Sequence, residues 1–285
     1  MDRTQMRMGE VTLIVANIKR SIRFYKEVIG FSSIEEMPQK AKLFNGKGEL
    51  LLVLEENDQA VSVKANQHSG LYHFALLFPD RKSLADQFVH LINKQVRLGG
   101  ADHAVSEAIY LNDPDGNGIE LYCDRPRDEW SFTDSGDVIM DTKALDVNGL
   151  STLAGDWKGL PGSTCMGHVH MHVAGLNETE QFYSELLDFQ TMARYGPQAL
   201  FMAVGGYHHH LGFNTWSGEG ATPQPQPAAG MKQYKIRVLD SLTYNAMYHR
   251  INDKNLIIEE GNGFFKVKDP SSMDVEIENT NNVKY

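Results

Sequence analysis

The 285-residue chain carries 11 histidines, and they are unevenly spread. His168, His170 and His172 alternate with Val169 and Met171, which on a strand sets all three imidazoles on one face. His208, His209 and His210 are consecutive ahead of Leu211-Gly212-Phe213-Asn214; read as strand, His208 and His210 share a face and His209 takes the other. A third stretch, Ile109–Tyr122 (IYLNDPDGNGIELY), joins a turn built from Asp113, Pro114, Asp115, Gly116 and Asn117 to a return strand. On that return strand Glu120 and Tyr122 leave one face while Ile119 and Leu121 leave the other. Singly these residues say little, because a buried histidine is more often held by a carbonyl and a strand glutamate is often only solvated. Together they are the materials of a metal centre. Two imidazoles and one carboxylate on one side of an ion leave neighbouring positions open for a bidentate substrate and dioxygen, the facial arrangement of non-haem Fe(II).

Something must position these groups, and composition bounds what it is. A hydrophobic fraction of 41% supports a substantial core. The net charge of -10 is not gathered into long blocks, which argues against nucleic acid or a membrane surface as partner. No stretch approaches the roughly 20 apolar residues of a membrane helix, and MDRTQMRMGEV lacks the apolar centre of a signal peptide, so a cytoplasmic protein is expected. Cys123 and Cys165 have no CxxC spacing and are expected to be free thiols. Phosphate-loop, nucleophile-elbow and dinucleotide motifs are missing.

The chain is internally repetitive. GEVTLIVANIKRSIRFYKEVIGF (9–31) and GHVHMHVAGLNETEQFYSELLDF (167–189) share Gly, two Val, Ala, the Phe-Tyr pair and the last Phe at an offset of 158 residues. Each reads as strand, turn, amphipathic helix with Phe-Tyr inward, and strand. A second unit opens at Gly70 (GLYHFALLF) and closes around the DPDG turn. A fourth opens at Gly230 and closes with Asp269-Pro270-Ser271-Ser272 before Val275-Glu276-Ile277-Glu278. The fold class is therefore α+β, with four βαβββ modules in two halves, residues 8–125 and 166–280, joined by a linker over 126–165. ATPQPQPAA (221–229) is a further extended surface link. Modules this small must pair, each pair curving a mixed sheet around a cleft.

The openings G-H-x-x-x-x-V and G-L-x-H-F-A-L, with Y-x-x-D-P-x-G-x-x-x-E, resemble the vicinal oxygen chelate superfamily of glyoxalases, fosfomycin- and bleomycin-resistance proteins and type I extradiol dioxygenases. The likeness covers roughly residues 8–125 and 166–279 and is greatest to catechol 2,3-dioxygenase-like proteins. It implies a ligand from the first strand of one module and two from the first and last strands of its partner: His168, His73 and Glu120. Glu10 and Gln233 occupy the matching positions of modules one and four, where only Glu276 fits, so one site is expected. Completing it requires module two to pair with three across the halves. Tyr110 precedes Glu120 as the acid-base tyrosine of extradiol enzymes precedes their glutamate, and Asp102-His103 with Val105-Ser106 resembles their DHxVS segment. The run His208–His210 falls where extradiol enzymes place the active-site base and glyoxalases a metal ligand; one alignment favours His209 and the other His210, so the catalytic candidates are Tyr110 with His209 or His210.

The activity so implied is extradiol cleavage of a catechol-type diol by dioxygen, with Fe(II) as cofactor and Mn(II), Ni(II) or Zn(II) as alternatives. The rival activities are a glyoxalase-type lyase or isomerase and a non-catalytic binding protein. Neither nucleic acid nor membrane is an expected partner, and a homo-oligomer is compatible with the sequence.

Overall fold

A computed structural model gives the structure of the chain and describes residues 6–62 and 68–282. Module one comprises β1 (Met6–Val15), α1 (Ile18–Phe24), β2 (Ser33–Met37), β3 (Lys40–Phe44) and β4 (Leu50–Glu56). Module two comprises β5 (His68–Leu77), α2 (Arg81–Asn93), β6 (Gly99–Asp102), β7 (Ser106–Asn112) and β8 (Gly118–Asp124). Module three has β9 (Cys165–His172), α3 (Leu176–Leu187), β10 (Gln190–Tyr195), β11 (Ala199–Ala203) and β12 (Leu211–Asn214). Module four has β13 (Ala228–Val238), α4 (Ser241–Asn252), β14 (Ile257–Gly261), β15 (Phe264–Lys268) and β16 (Asp274–Asn279). Local chemistry starts the helices: Asn17, Asp80 and Asp240 accept from the backbone N–H of Arg20, Ser83 and Thr243, satisfying donors a first turn leaves open. No helix among the described residues is long and apolar enough to cross a membrane.

The modules pair across the halves. One curled mixed sheet runs β14-β15-β16-β13-β1-β4-β3-β2, joining modules four and one, and the other runs β10-β11-β12-β9-β5-β8-β7-β6, joining three and two. In each, the two first strands of the paired modules meet antiparallel at the centre and each lies parallel to its own module's last strand. A single apolar cluster contains residues of the helix of each module and of both sheets, among them Val11, Leu84, Val169, Phe182, Tyr244 and Phe265. Val169 and Met171 of β9 belong to it, so alternation turns His168, His170 and His172 toward the opposite face.

The repeated Phe-Tyr pair ties consecutive modules together. Tyr25 donates its hydroxyl to Asp113 of the DPDG turn at 3.0 Å, and Tyr183 donates to Asp269 of the DPSS turn at 3.1 Å. Each aspartate also accepts backbone N–H groups inside its own turn, from Asp115 and Asn117 in one case and Ser271 and Met273 in the other. Gly116 completes the first turn at a φ of 91°, where a side chain would be strained. This turn holds β7 and β8 in register, setting Tyr110 opposite Glu120. The segment 126–165 is packed rather than extended. The Trp157 ring stacks on His90, Asn45 donates to the Thr164 carbonyl, and Lys143 exchanges backbone hydrogen bonds with Asp102 beside the cleft of modules two and three.

The two sheets differ at matching positions. In one, buried Ala75 sits beside Glu120; in the other, Lys235 sits beside Glu276. The Lys235 ammonium lies 2.8, 2.9 and 3.0 Å from Glu10, Glu276 and Glu278, and Arg237 joins Glu10 and Glu278. Burial favours a neutral Lys235, but Glu10 and Glu276 outweigh it and hold the ammonium above the ordinary lysine range. The cleft of modules one and four thus carries its own covalently attached cation.

Two outcomes follow for stability. Burial raises the Asp269 carboxyl to about 6, although the Met273, Ser271 and Tyr183 donors act against it. Proton binding therefore stabilises the fold fully below the unfolded value near 4 and the gain is lost as pH rises through about 6, on the order of 3 kcal/mol. Denaturant titrations should show wild type losing ground to Asp269→Asn between pH 4 and 7; a difference between the two that does not vary with pH would refute this. Lys235→Met should lose roughly 3–5 kcal/mol, because it leaves buried carboxylates facing one another. A midpoint unchanged from wild type would show that the acidic residues do not depend on this cation.

Candidate metal centre

His73 comes from β5, His168 from β9 and Glu120 from β8, so the central antiparallel pair and one parallel neighbour supply all three. The His73 Nε2 lies 2.9 Å from the Glu120 Oε2, the His168 Nε2 lies 3.1 Å from the same oxygen, and the two nitrogens are 3.3 Å apart. All three residues are buried. Among the described residues this is the group of histidine and carboxylate atoms gathered closely enough to hold an ion.

The residues fit a cation. Donors at neighbouring corners of an octahedron with bonds of roughly 2.1 Å stand ~3.0 Å apart, against ~3.4 Å for a tetrahedron; the two nitrogen–oxygen spacings lie nearer the first and the nitrogen–nitrogen spacing nearer the second. Burial pushes Glu120 upward, but the adjacent His168 and His73 over-compensate and hold it well below the usual carboxylate range. Burial lowers His168 to about 4, with Glu120 opposing, so the imidazole is neutral at pH 7. An ionised carboxylate and neutral imidazole are the protonation states a metal requires. The buried His168 Nδ1 has no partner. If the ring proton sits there, Nε2 presents a bare lone pair to the carboxylate, an arrangement that a cation relieves.

The other histidines separate by position. His208–His210 do not form a strand, contrary to the expectation from sequence: β11 ends at Ala203, Gly205 and Gly206 turn with positive φ, and β12 begins at Leu211. Freed from strand alternation, the three rings diverge. The His209 ring stands 4.1 Å from that of His168 and lines the cavity above the three donors. His210 instead packs on Tyr207 at 4.9 Å, and burial lowers it to about 3. His208 links the Asp124 carboxylate at 3.0 Å to the His209 Nδ1 at 2.7 Å. With Asp124 accepting from His208 Nε2–H, the His208 Nδ1 accepts from His209 Nδ1–H, which leaves the His209 Nε2 unprotonated.

Tyr110, on β7, lies in the same cavity. Burial first, then the Glu120 charge, raises its phenol well above 10, so it remains a donor at neutral pH. Its oxygen is 2.6 Å from the His103 Nε2, and the His103 Nδ1 is 2.9 Å from the Asp141 carbonyl. A carbonyl only accepts, so the His103 proton sits on Nδ1 and its Nε2 receives the Tyr110 hydroxyl. The sequence signalled His103 only through the DHxVS likeness, with no role. It carried no signal for Tyr72, Trp216 or Met140–Thr142, which complete the cavity of about 370 Å³ with His170, Tyr195 and Phe201. Gly212 makes room for His170, since a Cβ there would lie 2.8 Å from the imidazole.

The family model "Glyoxalase/Bleomycin resistance protein/Dioxygenase superfamily" matches residues 7–121. A catechol-2,3-dioxygenase of Bacillus subtilis (strain 168) is 42% identical over 268 residues, 93% of this chain and 94% of its own. A biphenyl-2,3-diol 1,2-dioxygenase of Rhodococcus globerulus is 30% identical over 98 residues, 33% of this chain and 52% of its own. The fold is shared with glyoxalase I from Zea mays (TM-score 0.60, 15% identity, 97% of this chain and 93% of that one) and with the cppA protein from Streptococcus pneumoniae TIGR4 (0.55, 12%, 98% and 99%). The chain belongs to the glyoxalase, bleomycin-resistance and dioxygenase superfamily, among its extradiol dioxygenases.

Proposed function

We propose that this chain opens the ring of a catechol-type diol with dioxygen, using Fe(II) held by His73, His168 and Glu120. The observation that carries the reading is the meeting of two imidazole nitrogens and one carboxylate oxygen within 3.3 Å, beneath a cavity that also presents Tyr110 and His209. The names of the catechol and biphenyl-diol relatives support the same substrate class. Bound there, Fe(II) would supply adjacent open positions for both diol oxygens and for dioxygen. The carbon–carbon bond beside the diol breaks, and one oxygen atom of dioxygen enters the new aldehyde while the other enters the new carboxylate, so no external reductant is consumed.

The chain's own groups handle the protons. His209, with Nδ1 committed to His208 and Nε2 free, takes a proton from a diol hydroxyl. Tyr110 holds its proton against the Glu120 charge. In the free site that one proton is hydrogen-bonded to the His103 Nε2, and it turns from there to the negative charge developing on the diol-derived oxygen.

Alanine at His73, His168 or Glu120 should each lower bound metal to well below one ion per chain, measured by metal analysis after anaerobic purification. Full metal content in all three would remove the assignment. Tyr110→Phe and His209→Gln should retain metal yet turn over catechol roughly 10²–10⁴-fold more slowly. Loss of metal in His209→Gln would make that residue a ligand and favour glyoxalase-type chemistry.

A further inference from the structure

The cavity is larger and less polar than a dihydroxybenzene ring requires. At about 370 Å³ it lies within the roughly 300–1,000 Å³ range of pockets that hold drug-sized ligands. Its chemistry is also mixed. The groups assigned to chemistry, His73, Glu120, Tyr110 and His209, share the cavity with the apolar side chains of Met140, Tyr195, Phe201 and Trp216, and Asp141 and Thr142 adjoin Met140 in the lining. Tyr195 and Trp216 are 57% and 45% exposed, large aromatic faces left open at the rim. No lysine or arginine lines the cavity among the described residues, although Glu120 and Asp141 do.

Neighbouring cations are already engaged or stand elsewhere. Lys143 is 3.3 Å from Asp141, and Arg194, in the groove beyond Met140, Tyr195 and Phe201, pairs with Glu180. Arg97 is exposed in a separate groove behind Tyr72 and Tyr110. A substrate carboxylate lying along Met140, Tyr195, Phe201 and Trp216, away from the three donors, would meet no cationic side chain among the described residues.

On the reading that the reaction is extradiol cleavage, we propose that this cavity selects catechols bearing a neutral apolar ring substituent and rejects those bearing a carboxylate. The diol faces the three donors, and the substituent lies along Met140, Tyr195, Phe201 and Trp216. This selecting wall comes from the second half, through Tyr195, Phe201 and Trp216, and from the segment between the halves, through Met140. Those side chains are specificity determinants rather than catalytic residues.

The test uses the metal-loaded enzyme with catechol, an alkyl catechol, a phenyl catechol and a carboxymethyl catechol. The alkyl and phenyl substrates should exceed the carboxymethyl one in kcat/KM by at least about tenfold, as expected for an apolar group gained and a charge left unpaired. Trp216→Ala and Tyr195→Ala should each erase much of the phenyl-over-catechol preference, mainly through KM. Thr142→Arg should raise kcat/KM for the carboxymethyl substrate by about tenfold. Anaerobic calorimetry with the same four diols reads the preference without turnover. If no diol is cleaved but the binding order holds, the reaction assignment fails and the selectivity stands. If every diol is cleaved and bound alike, the selectivity fails and the reaction stands. Efficient use of the carboxymethyl substrate that disappears in Arg97→Gln would likewise overturn the proposal, by showing that charge is read from the neighbouring groove.

Discussion

The centre depends on one antiparallel strand pair. β5 and β9 come from different halves, and their register sets His73 opposite His170 and Ala75 opposite His168. β8 adds parallel to β5 with Glu120 beside Ala75. A one-residue slip of β9 against β5 would turn every side chain of β9 to the opposite face, exchanging His168 and His170 for Val169 and Met171, and a slip of β8 would likewise remove Glu120. The apolar cluster resists that slip: those residues are fully buried, and exposing them would cost the hydrophobic energy of the core. The register that fills the core is thus the register that gathers the donors.

The same module solves a similar electrostatic problem in two ways. Buried carboxylates require a compensating positive charge. In the sheet of modules one and four, Lys235 reaches Glu10, Glu276 and Glu278. In the sheet of modules two and three, Ala75 supplies no charge and little bulk, and Glu120 is left with two neutral-capable imidazoles. A methyl group in place of a lysine is a main physical difference between a cleft filled by its own cation and the one proposed to hold an exogenous ion. The surrounding protein charge, -10 overall, favours cation uptake there.

Much of this was readable without coordinates. Period-two histidines, the turn formers around Gly116 and the 158-residue repeat report local rules, since strand alternation and turn conformation depend on neighbours in sequence. Four modules and the curved mixed sheets followed from those rules. The repeat also contained the information that Tyr25 and Tyr183 are equivalent. It did not reveal that each would reach the next module's turn aspartate, because that contact spans 88 residues in one case and 86 in the other.

Tertiary structure alone decided three matters. Equivalent modules can pair within or across halves, and only the packed sheets select the cross-half arrangement. The histidine run 208–210 has strand-compatible composition, but the adjacent Gly205-Gly206 turn breaks the alternation, directing His209 to the cavity and His210 toward Tyr207. Finally, Met140–Thr142 lie in a segment without periodicity, and no local rule assigns such a segment to a cavity wall. The sequence by itself specifies which groups are available and which face each takes on its strand; which strands meet, and therefore which groups converge, is set by the long-range burial of the shared core.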